Sequence, residues 1–523
     1  MRKPKTPLLN FLQKAFSNAL LCETKGQGFV DDLEEKREMS LYTRREFLGS
    51  SLGAIAAASG VLLAAQNTAA FSPSLNAPRI AIIGGGIAGL NAAYQLKKRG
   101  LQATIYEGSK SLGGRITTKN MSAGLTAEIG GEFIDTGHED MRALAREFHL
   151  PLLITSAPGL IKDSYFFGGR HYSEKEVVRA FRPFANKIKA AADAVPDDLS
   201  AVKPEKNLDK ISIAAYLQKL GVSGWFYDLL DAAFTSEFGL EIGEQSALNF
   251  ITLIGTDVST GKFEAFGESD ELYKIKGGNN KLIEALSKEL GEQINLERRL
   301  NAIRQKDGKF EINFERGEDV SADFVVLALP FSTLRQVDYK GLSLSARKIN
   351  AIENLGYGTN SKLLMSVNSR IWREQKPKRA GYLFNEKVQN GWDNSFGQNM
   401  DKGAGGYAVF LGGERGRSLQ QAEAAGYVAE LDRAFAGFKD SFTSSETVNW
   451  SENPFTKGSY ACYKVGQWTE ISGAEFEPEK NLYFAGEHCS SDFQGYMNGG
   501  AETGKRVAQL ISKRLKPPRR IRR

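Results

Sequence analysis

The sequence predicts an α/β fold in which a parallel sheet with a nucleotide-type turn is joined to a second, α+β unit, both discontinuous along the chain. Three observations carry that prediction. A short β-branched run, Arg79-Ile80-Ala81-Ile82-Ile83, passes directly into Gly84-Gly85-Gly86-Ile87-Ala88-Gly89. A helical pattern and a second strand-like run follow, the order of a βαβ unit. Apolar runs suited to the same sheet recur far downstream, at Ala322–Pro330 and from Asn481 to Ala485.

The first run is short, apolar and β-branched, which predicts a buried parallel strand. Gly84 allows the tight turn after it, Gly86 lets backbone approach a pyrophosphate, and Gly89 lets the next helix pack close to the sheet. That helix runs through Leu90, Ala93, Tyr94 and Leu96 and ends near Gly100. Its first N–H groups would face the phosphates. Ala103-Thr104-Ile105-Tyr106 is the second strand, and Glu107 at its end would take the ribose hydroxyls of an adenosine. A lone G-x-G-x-x-G means little. Strand, turn, helix, strand and acid in this order predict a Rossmann-like dinucleotide site.

NAD and FAD share this unit, and the residues after it separate them. Ser111-Leu112-Gly113-Gly114-Arg115-Ile116 resembles the G-G-R turn of the flavin amine oxidase and glutathione-reductase-like group, in which Arg115 would pair with cofactor phosphates. Glu128-Ile129-Gly130-Gly131-Glu132-Phe133-Ile134-Asp135 resembles the flavin amine oxidase family's next block, where Gly130 and Gly131 bring backbone close to the flavin ring. Lys276-Gly277-Gly278-Asn279 precedes a helical stretch at Leu282, Leu286 and Leu290, as in that family. The block ending Ala485-Gly486-Glu487-His488 resembles its strand-to-acid turn, with Glu487 on the ribityl chain. Gly495-Tyr496-Met497-Asn498-Gly499-Gly500-Ala501 opens the last helix, as in monoamine oxidases. The helix N-terminus at Met497 would stabilise negative charge on the flavin's pyrimidine side. The resemblance spans about residues 79–512, and five separated blocks in the family's order are far more specific than any one.

The resemblance implies an FAD-dependent amine oxidase-like oxidoreductase. Such enzymes pass a hydride equivalent from the carbon bearing a neutral amine to flavin N5. The imine then hydrolyses, and the flavin is reoxidised by O2, giving H2O2, or by another acceptor. Lys362, in Asn360-Ser361-Lys362-Leu363-Leu364, aligns with the family lysine that holds a water near N5. Tyr496 matches one wall of the aromatic cage, and the two are the expected catalytic residues. Glu132, Tyr460 and Trp450 are the expected substrate contacts. Monoamine oxidases place a flavin-tethering cysteine and a second cage tyrosine where this chain has Tyr460 and Ala461. FAD is therefore expected to be non-covalent, with a tether through Cys462 as the alternative. L-amino-acid oxidases carry a carboxylate-binding arginine where Glu132–Thr136 stands, a block with acids and no arginine. An acidic entrance there would favour cationic amines or diamines. The alternatives are an L-amino-acid oxidase, a desaturase- or protoporphyrinogen-oxidase-like flavoenzyme, and a non-catalytic flavin-binding protein.

Composition is that of an ordinary globular protein, 41% hydrophobic and 25% charged. The net charge of +6 belongs to the ends: residues 513–523 hold seven Lys or Arg and no acid, and the body is near −3. That distribution predicts a solvated basic tail and no nucleic-acid partner. Cys462 and Cys489 allow at most one disulfide in the body, and the four His (His138, His149, His171, His488) show no ligand-like pairing, so no metal site is expected. Near the start, Thr43-Arg44-Arg45-Glu46-Phe47-Leu48-Gly49 resembles a twin-arginine signal. An uncharged Ala/Gly/Leu-rich stretch follows, with small residues at Thr68-Ala69-Ala70 as a cleavage site. It implies that the twin-arginine export machinery carries the folded, cofactor-loaded protein to the periplasm or outside a bacterial cell, with no stable membrane span. The loose amphipathic pattern of Pro7–Leu21 fits a helix in an N-terminal extension, 1–38, with a start at Met39 as the alternative. Cys22 falls in the stretch expected to be removed or unstructured.

These readings divide the chain into an extension (1–38), the signal (39–71), an FAD-binding domain (79–150, 272–345 and 450–512), a substrate domain (151–271 and 346–449) and the tail (513–523). Glu174–Ala194 and Ser212–Leu220 read as helices, and Ser361–Asn368 as a strand pairing with Gly406–Gly412. Oligomeric state leaves no mark on the sequence.

Overall fold

The computed structural model describes residues 7–26, 77–155, 160–195, 208–254, 271–399 and 402–515. The signal at 39–71 and residues 516–523 of the basic tail lie outside the described residues. Ile80–Ile83 is the middle strand of a five-stranded sheet, ordered Leu482–Phe484, Phe324–Leu327, Ile80–Ile83, Ala103–Tyr106, Ile294–Asn295. Every neighbouring pair is parallel. Such a strand is covered on both faces, so it must be apolar at each position. Ile80 and Ile82 pack with Leu90, Ala93 and Val507 under the helices Ile87–Lys97 and Met497–Leu515. Ala81 and Ile83 face the other way, onto Ile303, Phe310 and Ile312. Those residues belong to a four-stranded sheet ordered Val320–Ala322, Lys309–Phe314, Leu300–Lys306, Asp338–Gly341. The stretch expected as one strand at Ala322–Pro330 is therefore split between two sheets. Asp323 marks the crossing, where its carboxylate accepts the Arg79 N–H at 2.8 Å.

A seven-stranded sheet is ordered Phe442–Asn449, Ser361–Val367, Gly405–Leu411, Asn390–Asp393, Arg379–Phe384, Ile161–Phe167, Arg170–Tyr172. Ser361–Val367 runs antiparallel to Gly405–Leu411, as the sequence suggested, and Lys362 stands opposite Phe410. Helices Glu174–Asp193, Ile213–Leu220, Trp225–Phe238 and Ala247–Ile254 cover the sheet, with Phe181, Phe226, Phe234 and Phe250 packing with Tyr165, Phe384 and Trp392. Ser173 caps the first of these helices in a reciprocal box with Glu176.

The N-terminal helix, Pro7–Lys25, joins the same core through Leu12, Ala15, Phe16, Ala19 and Leu20. Phe16 meets Phe181 edge-on at 5.7 Å, and Glu23 accepts from Arg182 at 2.7 Å. Cys22 is thus buried in an ordered helix and not in an unstructured stretch, because the helix has an apolar stripe and Glu174–Asp193 offers it an apolar face. Lys513 and Arg514 close the last turn of the C-terminal helix, where cations complement the carbonyl end, instead of opening the tail. Among the described residues, no helix is long and apolar enough to cross a membrane.

Candidate active site

A cavity of about 580 Å³ runs from the glycine turn to the seven-stranded sheet, a volume suited to a small-molecule site. Every expected site residue except Gly89 lines it. Gly84 has φ +110, and a Cβ there would lie 2.6 Å from the Ala328 carbonyl oxygen. A Cβ on Gly89 would overlap the Gly84 carbonyl oxygen, so Gly89 is the packing glycine. Gly86 differs: nothing comes nearer to its Cβ position than 3.9 Å. Gly114 is equally open, at 3.7 Å. The fold does not need Gly86 bare, whereas a ligand pressed against the backbone does; Gly114, at φ +58, needs glycine for its own backbone conformation. The Glu107 carboxylate accepts the Gly85 N–H at 2.7 Å and the Ser109 N–H at 2.8 Å, which fixes the acid at the cavity's adenosine end with lone pairs to spare.

Arg115 lines the cavity beside Gly114 and is held there through Nη1. Its guanidinium donates to Glu487 Oε1 at 2.8 Å and to the Ser459 carbonyl at 2.6 Å. Glu487 also accepts the Gly495 N–H at 2.9 Å and the Ala461 N–H at 3.3 Å. A carboxylate this buried needs a cation, and Arg115 supplies it. Next to it, His488 presses its ring on Phe331 at 4.5 Å, and burial pushes its pKa down to about 4. Neither ring nitrogen has a partner among the described residues. A neutral imidazole on the cavity wall thus keeps one donor and one acceptor for a polar ligand. With the open Gly86 and Gly114, these groups fit the diphosphate and ribityl parts of FAD.

At the other end, Lys362 Nζ donates to the carbonyls of Glu128 and Gly130 and to Glu132 Oε2, each at 2.9 Å. Lys274 Nζ takes Glu132 Oε1 at 2.9 Å. Burial works to raise the Glu132 pKa, but Lys274 and Lys362 outweigh it and hold the carboxyl below its ordinary value. Two corrections follow. All three N–H groups of Lys362 are committed to protein, so the lysine has no donor left for a water. Glu132 is neutralised by two cations, so it makes no acidic entrance. Asp135 is likewise engaged, accepting the Glu271 N–H at 2.9 Å.

Tyr496 stands edge-on to His138 at 4.8 Å, and the Tyr460 hydroxyl donates to the Glu237 carbonyl at 2.8 Å. Trp450 Nε1 donates to the Ile129 carbonyl at 3.1 Å. The Met497 side chain lies against bare Gly131, 2.7 Å from where a Cβ would sit. Neither Cys462 nor Cys489 lines the cavity. Cys462 Sγ is 3.6 Å from Asn249 Nδ2 in the helical core, and Cys489 contacts the Glu475 carbonyl. Sequence reasoning missed Lys274, Asn390, Trp392 and Phe410. The alternation of Asn390 and Trp392 on one strand was the available signal.

This chain belongs to the family described as flavin containing amine oxidoreductase, whose model matches residues 87–512. It is an FAD-dependent enzyme that oxidises amines. It is 24% identical over 496 residues to pseudooxynicotine dehydrogenase from a Pseudomonas species, covering 91% of this chain and 96% of that one. An L-amino acid dehydrogenase from Synechocystis is 24% identical over 454 residues, covering 82% and 94%. In fold, the chain is similar to cyclohexylamine oxidase from Brevibacterium oxydans, with a TM-score of 0.75, 20% identity and coverage of 84% and 100%. It is also similar to a putrescine oxidase bound to putrescine, with a TM-score of 0.72, 20% identity and coverage of 83% and 98%.

Proposed function

We propose that the enzyme oxidises a neutral, largely apolar amine with non-covalent FAD, passes the electrons to O2 or another acceptor, and works in the periplasm or outside the cell after twin-arginine export. The observation that carries this reading is the single cavity joining the glycine turn to the Lys362–Glu132 wall. When bound, FAD supplies the two-electron acceptor for oxidation at the carbon bearing the amine. Phe133, Trp392, Phe410, Tyr460 and Tyr496 line the cavity beyond that wall. They exclude water and favour the neutral amine over its ammonium form. Lys362 acts by position: its three bonds clamp the backbone at 128–132, so that Gly130 and Gly131 present a fixed wall.

An amine is favoured over an α-amino acid because a carboxylate finds no uncommitted cation at this end. The arginines on the cavity wall, Arg115, Arg298 and Arg299, flank the nucleotide turn or pair with Glu487. Lys362 has no free N–H. Non-covalent FAD is supported by the absence of both body cysteines from the wall. The relatives' names span pseudooxynicotine and L-amino acids, and those of the fold neighbours putrescine and cyclohexylamine. The test is anaerobic titration of the holoenzyme with monoamines, diamines and L-amino acids. Bleaching of the visible flavin band by monoamines, reversed by air, is expected. Bleaching by amino acids only, or by nothing, overturns the reading. Acid precipitation should leave the flavin in the supernatant. Replacing Arg44 and Arg45 by Lys should keep the protein in the cytoplasm.

A further inference from the structure

Lys362, Phe410 and Asn390 form one row across three neighbouring strands, because Phe410 is the register partner of both others. The next row is Leu364, Ala408 and Trp392. Side chains two apart on a strand share a face, so Asn390 and Trp392 stand side by side on the face that carries Lys362. Both line the cavity. Asp393 points the opposite way and is taken up by Arg373 at 2.6 Å and Trp372 at 3.2 Å.

The Asn390 side chain is 1% exposed and Trp392 is 4% exposed. Asn390 Nδ2, Asn390 Oδ1 and Trp392 Nε1 have no hydrogen-bond partner among the described residues. Buried polar groups are ordinarily bonded, and leaving three without partners on one strand carries the desolvation cost of each. Packing does not require them, since Leu and Phe would fill the same space. Phe133 and Phe410 stand 5.9 and 5.8 Å from the Trp392 ring and make the surroundings aromatic.

We propose that Asn390 and Trp392 form a specificity subsite that binds a neutral hydrogen-bond acceptor, such as a carbonyl or an aromatic ring nitrogen, carried by the amine substrate away from the carbon to be oxidised. This rests on the amine-oxidation reading above. Two donors without partners among the described residues, Asn390 Nδ2 and Trp392 Nε1, would serve the acceptor, and Asn390 Oδ1 would take any N–H or O–H beside it. A carboxylate is disfavoured because both donors are uncharged and Lys362, on the same face, has its protons committed to Glu128, Gly130 and Glu132. A purely hydrocarbon tail would fill the aromatic space but leave the polar atoms unpaired, which is the strong form of discrimination.

The test separates the subsite from the reaction. Pyridylpropanol and phenylpropanol carry no amine, so their Kd values for the holoenzyme report binding alone, through perturbation of the flavin spectrum. Removing pyridine from water costs more than removing benzene, so a preference for pyridine requires waiting donors. Binding of the pyridyl alcohol should be at least about tenfold tighter. Asn390→Leu and Trp392→Phe should each reduce the ratio to within about threefold at unchanged FAD content. The corresponding amines should show the same ratio in the concentration dependence of flavin reduction. Equal Kd values in the wild type, an undiminished ratio in both variants, or loss of FAD from Asn390→Leu overturns the subsite. Tighter binding of a carboxyl-terminated chain overturns its neutral character. If the alcohols discriminate but no amine reduces the flavin, the subsite stands and the amine reading falls.

Discussion

Glu132 sits between two lysines, with its side chain 3% exposed and theirs 5% and 6%. Removing one partner of a buried ion pair costs far more than the intact pair contributes. Lys362→Met should therefore lower stability by about 3–5 kcal/mol, slow flavin reduction and reoxidation, and leave FAD bound. Adding Glu132→Gln should lower stability further, because Lys274, which still pairs with Glu132 at 2.9 Å once Lys362 is gone, then becomes the stranded buried charge. Denaturant unfolding and stopped-flow absorbance check the two parts separately. Glu128, one turn of strand away, behaves differently. Burial raises its carboxyl pKa to about 7, the Glu132 charge adds to this, and the Asn279 N–H opposes it. A carboxyl raised in the folded state contributes stability that is complete below its ordinary value of 4.5 and is lost as pH rises through about 7. Glu128→Gln should therefore gain Tm over the wild type between pH about 5 and about 8. His488, lowered to about 4, slopes the other way as pH falls, so the difference between the two proteins carries the test.

The glycine turn separates two demands that its motif merges. Gly89 is required by the helix that crosses the sheet, and Gly86 by what lies in the cavity. Gly89→Ala should lower Tm and flavin content together, since its Cβ meets backbone that cannot move aside. Gly86→Ala has room for its Cβ in the empty fold. It should keep the apoprotein's Tm and lose FAD affinity. Flavin-to-protein absorbance ratios and apoprotein melting distinguish the two. The lysine strand follows the same logic: the register of Gly405–Leu411 against Ser361–Val367 on one side and Asn390–Asp393 on the other decides which side chains pave the cavity, and a one-residue slip would turn them away.

The N-terminal helix ties the extension to the body of the protein. Its apolar stripe lies on Glu174–Asp193 and reaches Ala247–Ile254, where Gln13 donates to the Leu253 carbonyl. Phe16→Ala should cost about 3–5 kcal/mol, as for a fully buried phenylalanine. Deleting residues 7–26 should lower Tm and expose apolar surface to a hydrophobic dye. No change in either would mean that the helix does not hold its place in solution.

Five motif blocks, from Gly84 to Ala501, made the cofactor fold and the amine chemistry legible before any tertiary contact was known. Each is local: a turn, a cap or a helix start whose residues are dictated by backbone geometry within a few positions. The partners of the charged residues were not legible. Arg115 meets Glu487 across 372 positions, and Lys362 meets Glu132 across 230. An ion pair has no sequence period, and only the packing of the sheets brings its members together. The same packing set the expected acid Glu132 between two lysines, drew the helix Pro7–Lys25 into the core, and placed Asn390 and Trp392 beside Lys362. The sequence by itself determined the FAD turn and the class of reaction. The tertiary structure decided which charges are free, because burial forces each one to find a partner.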